Sequence, residues 1–466
     1  MSVTQPEVQD PYVLRPEDIK DAPRGWAASL RYLGPGLILS ASIVGSGELI
    51  ATTALGAEAG FVLLWMVVFS TLVKVAVQVE LGRWAIVTGQ PSLEGYNKVP
   101  PRFGRLGWVS VLWILLAVVK VLQVGGVVGG CAAALSILFP IGSEPLEFPS
   151  LAIWTTIVVV GAIVSLYSNR YGLIERGAVV LTVIFVSITC AIAFGLPFTP
   201  AGYGLSDIAT GLQFSLPAGV LGAAVAMFGL TGITSDEITY YPYWCIEKGY
   251  ARWTGPNDGT EEWRDRARGW IRVMYKDAFV SWVVYTVGTL AFYIMGAAVL
   301  HDRRLVPEDN QMIIVLSNTY TQTLGEWAGV VFLVGAVAVL GSTLWAALPS
   351  WARVAANAVS LLGGFEWHDT VQRTKWIRVF TVIFPIAWGS AYLYFTSPVL
   401  MIQTGGFIGG LFLIAVVVAT WYLRKTEVEP ELRGGPFFEI ALGVSTVLII
   451  GLGIYTAVSV FGVTIG

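Results

Sequence analysis

The feature that most constrains this chain is the spacing of its apolar residues, which fall in blocks of about twenty. A helix of that length crosses the roughly 30 Å hydrocarbon layer of a bilayer. Of the 466 residues, 55% are hydrophobic and 13% are charged, whereas soluble domains carry about 25% charged residues. The chain is therefore predicted to be an all-α membrane protein.

About eleven spans are predicted, near residues 34–56, 60–82, 108–139, 150–168, 174–196, 216–241, 278–300, 326–348, 376–395, 399–423 and 437–463. With the N-terminus inside, nearly all of the 28 Lys and Arg residues fall in inner segments. Arg303 and Arg304 fall in an outer loop, and Lys74 and Lys120 lie within spans. We therefore expect an inner (plasma) membrane protein with a cytoplasmic N-terminus and an outer C-terminus.

Polar sequence outside the spans is limited. Residues 1–33 carry no signal-peptide pattern and are expected to form a partly disordered cytoplasmic tail. The segment 244–277 is interpreted as a solvated cytoplasmic connector with a short amphipathic helix around Trp263–Met274; the alternative is a regulatory or partner-binding role. The three cysteines are too few for a disulfide framework or a metal cluster.

Two spans carry glycines and a carboxylate at their centre. The first reads Gly45-Ser46-Gly47-Glu48, and the sixth contains Gly229 and Gly232 followed by Thr234-Ser235-Asp236-Glu237. Glycine weakens a helix interior by about 1 kcal/mol relative to alanine. An ionised carboxylate at mid-bilayer costs at least ~2.5 kcal/mol. Both spans are therefore predicted to be broken helices.

The two breaks occupy corresponding places, since each affected span opens a group of five. Interrupted segments at matching positions in two halves are the best sequence indication of a transporter's midplane site. We predict that an inverted repeat brings Glu48 close to Ser235–Glu237. The alternative is that the glycines permit tight packing and that the carboxylates form salt bridges with Lys74 or Lys120, with Glu80 as a further charge in such a network.

Several of these segments resemble the NRAMP family of divalent-metal transporters. The stretch GPGLILSASIVGSGE resembles the family's first span, and QVELGRWAIVTGQPSLEGY (Gln78–Tyr96) the end of its second. LGSTLWAALPSWARVAAN resembles the eighth span and IQTGGFIGG the tenth. The resemblance implies a LeuT-like five-plus-five inverted repeat: repeats at 34–196 and 197–423, and an extra eleventh helix within 424–466.

The chain departs from the family at the implied metal site. Where the family has Asp-Pro-Gly-Asn, this chain has Gly45-Ser46-Gly47-Glu48, so the metal-binding Asp is absent. The family's Met-Pro-His in the sixth span finds no match, Met227 being the nearest methionine. Lys120 and Gln123 stand in place of an acidic pair associated with proton movement, and Gln403 resembles a glutamine near the metal. We therefore expect no proton coupling of the usual family kind.

The candidate ligands are all oxygen donors. The predicted metal ligands are Glu48, Asp236 and Glu237, and the wider candidate binding set adds Gly45, Ser46, Thr234, Ser235 and Gln403. Candidate pathway or ion-coupling residues are Lys74, Glu80, Lys120 and Gln123. Oxygen ligands suit Mg²⁺ and Mn²⁺ better than softer metals. The leading hypothesis is a transporter of such a hard divalent cation.

A second hypothesis keeps the fold and changes the substrate to a small organic solute carried with Na⁺. Ser342 and Thr343 could join the backbone near Val44 in a sodium site, and the run Tyr240–Trp244 could border the solute or form an interfacial belt. A membrane enzyme or a transport-dead sensor is the third possibility, although the loops lack a catalytic cluster. The expected partners are the bilayer and the transported ion or solute; no cofactor or nucleic acid is expected, and the chain is expected to be monomeric.

Overall fold

The computed structural model describes residues 10–199, 202–216, 228–301 and 311–460. Most of this is helical, and the sheet within it is one antiparallel pair in which β1 (Arg102–Phe103) pairs with β2 (Leu106–Gly107). The helices up to residue 216 are α1 (Trp26–Ser29), α2 (Pro35–Ile43), a π-helical segment (Val44–Thr52), α3 (Thr53–Ala59), α4 (Leu64–Thr88), α5 (Ser92–Lys98), α6 (Trp108–Leu138), α7 (Phe148–Leu166), α8 (Tyr171–Gly195) and α9 (Leu205–Gly211). The later helices are α10 (Ser235–Lys248), α11 (Tyr250–Thr254), α12 (Glu261–Val299), α13 (Gln311–Leu324), α14 (Glu326–Leu361), α15 (Thr370–Phe395), α16 (Pro398–Glu427) and α17 (Pro436–Val460). Short 3₁₀ turns occur at Pro16–Asp18, Leu30–Tyr32, Gly60–Leu63, Leu196–Phe198 and Pro430–Leu432.

The helix bounds follow the predicted spans within a few residues for most of the chain. Eight helical stretches in the described residues are long and apolar enough to cross a membrane. The other three predicted spans correspond to the interrupted first helix, to α8, and to the sixth span, of which residues 217–227 lie outside the described part. Arg303, Arg304 and the C-terminal residues 461–466 also lie outside it. The fold is that of an all-α membrane protein.

The predicted connector 244–277 is corrected by the structure. It is helical over most of its length, because α10 runs to Lys248, α11 follows, and α12 is one continuous helix from Glu261 to Val299. Thr260 caps α12 by accepting a hydrogen bond from the Trp263 amide. The polar first turns of α12 therefore extend the seventh span instead of forming a separate amphipathic helix.

Part of the N-terminal tail is ordered against the helix ends. In residues 10–25, which we call the N-terminal strap, Asp10 forms a buried ion pair with Arg373 of α15 at 2.6 Å. The Tyr12 hydroxyl donates to Glu247 of α10 at 2.9 Å, and Glu247 in turn accepts two hydrogen bonds from Arg353 of α14, at 2.6 and 2.8 Å. This part of the tail is thus held against the helices; residues 1–9 lie outside the described part.

Helix packing brings the interrupted segments to the centre of the molecule. The α2 helix packs against α10, α12 and α14, and the π-helical segment packs against α12, α14 and α16. The α16 helix in turn packs along α6. Glycines permit the close approach, since a Cβ on Gly56 would lie 2.3 Å from the Tyr293 carbonyl oxygen of α12.

Candidate functional site

The first break is a π-helical segment, not an unwound stretch. It spans Val44–Thr52 and includes Gly45, Ser46 and Gly47, of which the structure describes the backbone only. A π-turn inserts an extra residue while keeping hydrogen bonds along the helix, and it recurs at functional sites. The glycines predicted to break this span therefore widen its helix instead of ending it.

The second break interrupts the helix completely. Residues 228–230 are helical, a bend follows over 231–233, and α10 begins at Ser235. Gly232 has φ of 65°, the left-handed region that glycine adopts without strain. A Cβ at this position would also lie 3.0 Å from the Thr71 Cα atom. The sixth span is therefore a broken helix, as the sequence predicts.

Side chains satisfy both new helix ends. Lys74 of α4 donates through Nζ to the carbonyl oxygens of Phe228, at 2.7 Å, and Thr231. On the other side, Thr234 caps α10, and Glu237 completes the capping box by accepting from the Thr234 amide at 3.1 Å. A cation thus lies at the C-terminal end of one half-helix and a carboxylate at the N-terminal end of the next, the arrangement that helix dipoles favour.

Two contacts join the first span to the second break. Glu48, 1% exposed, accepts from the Gly232 amide at 2.8 Å and from the Thr289 hydroxyl of α12 at 2.5 Å. Ser42 of α2 donates to Glu237 Oε1 at 3.1 Å. The two breaks therefore meet in the interior, although Glu48 and Gly232 are 184 residues apart in sequence.

A small cavity lies where these elements meet. Its volume is ≈ 10 Å³, room for about one water molecule or a bare ion. It is lined by Ser42, Gln123, Val124, Val127, Asp236, Glu237, Tyr240, Thr343, Ala347 and Trp351. Two carboxylates, an amide and three hydroxyls thus face a space enclosed by four predicted spans.

A buried lysine contacts one of the two carboxylates. Lys120 of α6 lies 2.8 Å from Asp236 Oδ2 and donates to Gln123 Oε1 at 2.6 Å. Glycines on α16 give it space: a Cβ on Gly409 would lie 2.7 Å from Lys120 Nζ, and one on Gly405 would lie 2.3 Å from Gln123 Cβ. The salt bridge anticipated as an alternative for Lys120 is therefore present, at the edge of the cavity.

Several other predicted site residues lie elsewhere. Glu80 accepts from Arg83 and Arg424, each at 2.5 Å, in a buried ionic cluster at the end of α4. Gln403 on α16 is exposed, while neighbouring glycines of that helix face the site. Ser235 donates to Asp236 Oδ1 at 3.3 Å and so lies beside the cavity. The clustered oxygen donors come mainly from Ser42, Gln123, Asp236, Glu237 and Thr343.

Ser342 and Thr343, the residues suggested for a sodium site, donate hydrogen bonds to the first span close to Val44. Thr343 donates to the carbonyl oxygens of Ala41 and Ser42, each at 3.2 Å, and Ser342 to that of Ala41 at 3.3 Å. These two carbonyls lie within three residues of Val44 and accept hydrogen bonds from α14. The contact links the eighth predicted span to the first beside the cavity.

The aromatic run Tyr240–Trp244 is not an interfacial belt. Tyr240, Tyr241, Tyr243 and Trp244 are each at most 1% exposed. Tyr240 lines the cavity, whereas the Tyr243 hydroxyl donates to Asn357 of α14 at 2.8 Å. The run therefore packs α10 into the core and contributes one hydroxyl to the site.

Sequence reasoning missed three polar residues of this region. In the sequence, Ser42 and Thr289 resemble ordinary helix-interior residues. The available signal was position: Ser42 lies about one turn before the first break, and Thr289 lies on a span that packs against it. Asp277 accepts from the amides of Gly34, at 2.8 Å, and Gly36, at 2.6 Å, so it caps the start of the first span. Its signal was a lone carboxylate at the start of an apolar span.

The donor set limits how a metal could bind. Among the described residues no group of three or more His, Cys, Asp or Glu side chains is placed to hold a metal ion. His301 contacts the Ala57 carbonyl oxygen at 2.9 Å, and His368 is exposed, so neither belongs to the cavity. An ion there would be held by two carboxylates and neutral oxygens, the set that Mg²⁺ and Mn²⁺ accept together with water.

Solved structures support the fold. A manganese transporter of Eremococcus coleocola matches with a TM-score of 0.71 and 18% identity over 95% of this chain and 90% of that one. A nucleobase-cation-symport-1 family transporter matches with a TM-score of 0.54 and 13% identity. At these identities the likeness is one of fold, and it confirms the predicted LeuT-like helical arrangement.

Sequence comparisons identify the family. An uncharacterized protein of Pasteurella multocida is 24% identical over 384 residues, 80% of each chain. The divalent metal cation transporter MntH of Bacillus subtilis is 27% identical over 213 residues, which cover 43% of this chain and 46% of that protein. The model of the family described as natural resistance-associated macrophage protein-like matches residues 36–459. The chain therefore belongs to the NRAMP-like family of membrane transporters.

Proposed function

We propose that this chain is a secondary transporter of a hard divalent cation, Mg²⁺ or Mn²⁺, which it binds between the broken spans. The observation that carries the proposal is the cavity that both Asp236 and Glu237 face, at the junction of the first, third, sixth and eighth spans. The family includes relatives named as divalent metal transporters. The cavity's oxygen donors suit a hard cation.

In this proposal the two carboxylates bind the ion directly. Ser42, Thr343 and Gln123 add neutral oxygens, and water completes the coordination, since Mg²⁺ keeps several of its waters. Glu48 is not part of the cavity lining, and its oxygens accept hydrogen bonds from Gly232 and Thr289. We assign it the role of holding the two breaks together.

Alternating access would then use the break at Gly232 as a hinge. Half-helices on either side of Gly232 can tilt separately because no continuous backbone ladder joins them. Lys120 provides a fixed positive charge beside Asp236 at the place where the family resemblance implies an acidic pair. This favours transport without the usual proton coupling. The transporter is further proposed to be a monomer in the inner membrane with its N-terminus in the cytoplasm.

Flux into proteoliposomes tests the proposal. We expect Mg²⁺ or Mn²⁺ uptake by the wild type and loss of most of it in Asp236→Asn and Glu237→Gln. The matched control is Glu58→Gln, since Glu58 is an exposed carboxylate on α3, away from the cavity. The proposed function would be refuted if the wild type took up neither Mg²⁺ nor Mn²⁺. It would also be refuted if Asp236→Asn and Glu237→Gln took up as much of the ion as Glu58→Gln does.

A sodium-coupled organic solute is the second candidate. It is favoured by the hydroxyls of Ser342 and Thr343, which lie against the carbonyls of Ala41 and Ser42. Against it, sites for organic ligands typically measure about 300–1,000 Å³, whereas the cavity here is ≈ 10 Å³. Thermal stabilisation by Na⁺, with none from Mg²⁺ or Mn²⁺, would favour this candidate over the first.

A further inference from the structure

A groove of ≈ 670 Å³ lies between the N-terminal strap and the first turns of α12, away from the central cavity. It is lined by Asp21, Ala22, Pro23, Arg24, Gly25, Glu262, Asp265, Arg266, Gly269, Arg272 and Lys276. The strap contacts the helix at several points: the Trp270 indole donates to the Lys20 carbonyl oxygen at 2.8 Å, and a Cβ on Gly269 would lie 2.7 Å from Ala22 Cβ.

The charged side chains of the groove differ along α12. Near the start of the helix, Glu262 and Asp265 line the groove beside Arg266, which donates to the Thr254 carbonyl oxygen at 3.2 Å. Farther along, Arg272 is exposed, as is Arg24 on the strap. Within the described residues neither of these two guanidinium groups has an ion-pair partner. The acidic side chains of α12 therefore lie toward its start, Asp21 lies next to the contact between Ala22 and Gly269, and the open guanidinium groups of Arg24 and Arg272 lie beyond that contact.

The end with the open cations borders the membrane. Arg272, Lys276, Phe279 and Val283 follow one another at helical spacing along one side of α12, and Phe279 is 51% exposed. Trp26, also 51% exposed, packs against Phe279 with ring centroids 6.1 Å apart. A stripe that changes from basic to exposed aromatic within two turns is typical of the boundary between headgroups and acyl chains.

Lys276 holds the two walls of the groove in place. Its Nζ donates to the Gly25 carbonyl oxygen and to Ser29 Oγ, both at 2.8 Å, and it lies over the Trp26 ring at 5.5 Å. Its hydrogen bonds are thus directed to the protein, which leaves Arg24 and Arg272 to contact a ligand. Guanidinium groups bind phosphate oxygens in a fork geometry.

We propose that this groove binds the headgroup of an anionic phospholipid, with its phosphate between Arg24 and Arg272 and its acyl chains beside Trp26 and Phe279. The charge of the open end, its position at the exposed aromatic residues and the volume of the groove all fit such a lipid. The bound lipid would join the N-terminal strap to the seventh span. This site is separate from the proposed cation site, and its occupancy does not depend on which ion is carried.

The test measures lipid binding to the full-length protein in detergent by native mass spectrometry, with phosphatidylglycerol, phosphatidylcholine and inorganic phosphate as probes. The variant Arg24→Gln/Arg272→Gln should bind phosphatidylglycerol about tenfold more weakly than the wild type. The control Arg102→Gln/Arg268→Gln removes two arginine charges outside the open end and should bind it as the wild type does. Equal weakening in both variants, or equal binding of phosphatidylcholine by the wild type, would overturn the proposal.

A second measurement uses the wild type alone, so it does not depend on how the variants fold. A photoactivatable phosphatidylglycerol should cross-link to residues 21–26 and 269–279, and excess phosphatidylglycerol should compete while inorganic phosphate should not. Cross-links found only elsewhere would contradict the site. Competition by inorganic phosphate would indicate a soluble anion in place of a lipid and would overturn it as well.

Discussion

The ammonium group of Lys120 competes with a cation for Asp236, and this competition can be measured. Lys120 Nζ is 2.8 Å from Asp236 Oδ2, at the edge of the cavity. A divalent ion about 5 Å from that nitrogen would be repelled by about 7 kcal/mol at an effective dielectric constant of about 20. Part of this repulsion is relieved if the lysine moves aside. We expect Lys120→Met to raise the affinity for Mg²⁺ or Mn²⁺ by at least about tenfold, or about 1.4 kcal/mol.

The same substitution should lower stability without metal. Methionine has nearly the length of lysine and fits beside Gly409, but it leaves the Asp236 carboxylate buried without its ion-pair partner. Removing one member of a buried pair costs about 3–5 kcal/mol. The metal-free variant should therefore melt below the wild type, and metal should raise its melting temperature by more than it raises that of the wild type.

Isothermal calorimetry and thermal melts in detergent would measure both effects. The matched control is Lys98→Met, because Lys98 pairs with Glu427 at 2.8 Å but is 37% exposed. Exposed pairs contribute about 0–1 kcal/mol, so this control should leave metal affinity unchanged. If Lys120→Met binds metal no more tightly than the wild type while the control behaves normally, Lys120 does not compete for the ion.

Three further substitutions test neighbouring features. Gly409→Ala should reduce transport, because the added Cβ would lie 2.7 Å from Lys120 Nζ. Flux normalised to the amount of folded protein measures this effect. Unchanged flux would mean that the lysine side chain can move away without loss of transport. Asp277→Asn should destabilise the protein by about 1–3 kcal/mol, because the asparagine side chain has one acceptor oxygen where the carboxylate has two, for the backbone N–H groups of Gly34 and Gly36. A melting temperature at or above that of the wild type would contradict this. Glu80→Gln should lower the free energy of unfolding by about 3–5 kcal/mol, and with it the melting temperature, because two buried arginines lose their carboxylate. The flux per folded molecule should be retained; loss of flux with normal stability would instead support the pathway role predicted from sequence.

The positions of the spans and of the second break could be predicted from sequence, because each depends on a single type of residue. Apolar length located the spans, and Gly232 beside carboxylates located the second break, because glycine adopts the left-handed backbone there. The first break was predicted in position but not in form. Whether Gly45 and Gly47 widen a helix or end it depends on contacts with other spans. In the structure, the Gly232 amide and the Thr289 hydroxyl donate hydrogen bonds to Glu48, which follows these glycines.

The approach of the two breaks was predicted, but most side-chain contacts between distant spans could not be predicted from sequence. The cavity includes Gln123 and Thr343, which the sequence suggested for ion coupling and for sodium, together with Ser42, which it did not suggest. Hydroxyls in apolar helices usually bond to their own backbone, so sequence alone does not indicate which one faces a site. Glu80 and Gln403 have the residue types of a pathway, but packing places one in an ionic cluster and the other on an exposed face.

The N-terminal strap has a practical consequence for handling the protein. Asp10 and Tyr12 connect the ends of α15 and α10, and Glu247 connects α10 onward to α14. A truncated protein that begins after Tyr12 would leave Arg373 without its ion pair to Asp10 and would remove a hydrogen-bond donor from Glu247. Affinity tags are therefore better attached to a chain that keeps its first dozen residues, and activity measured on shortened versions should be compared with that of the full-length protein.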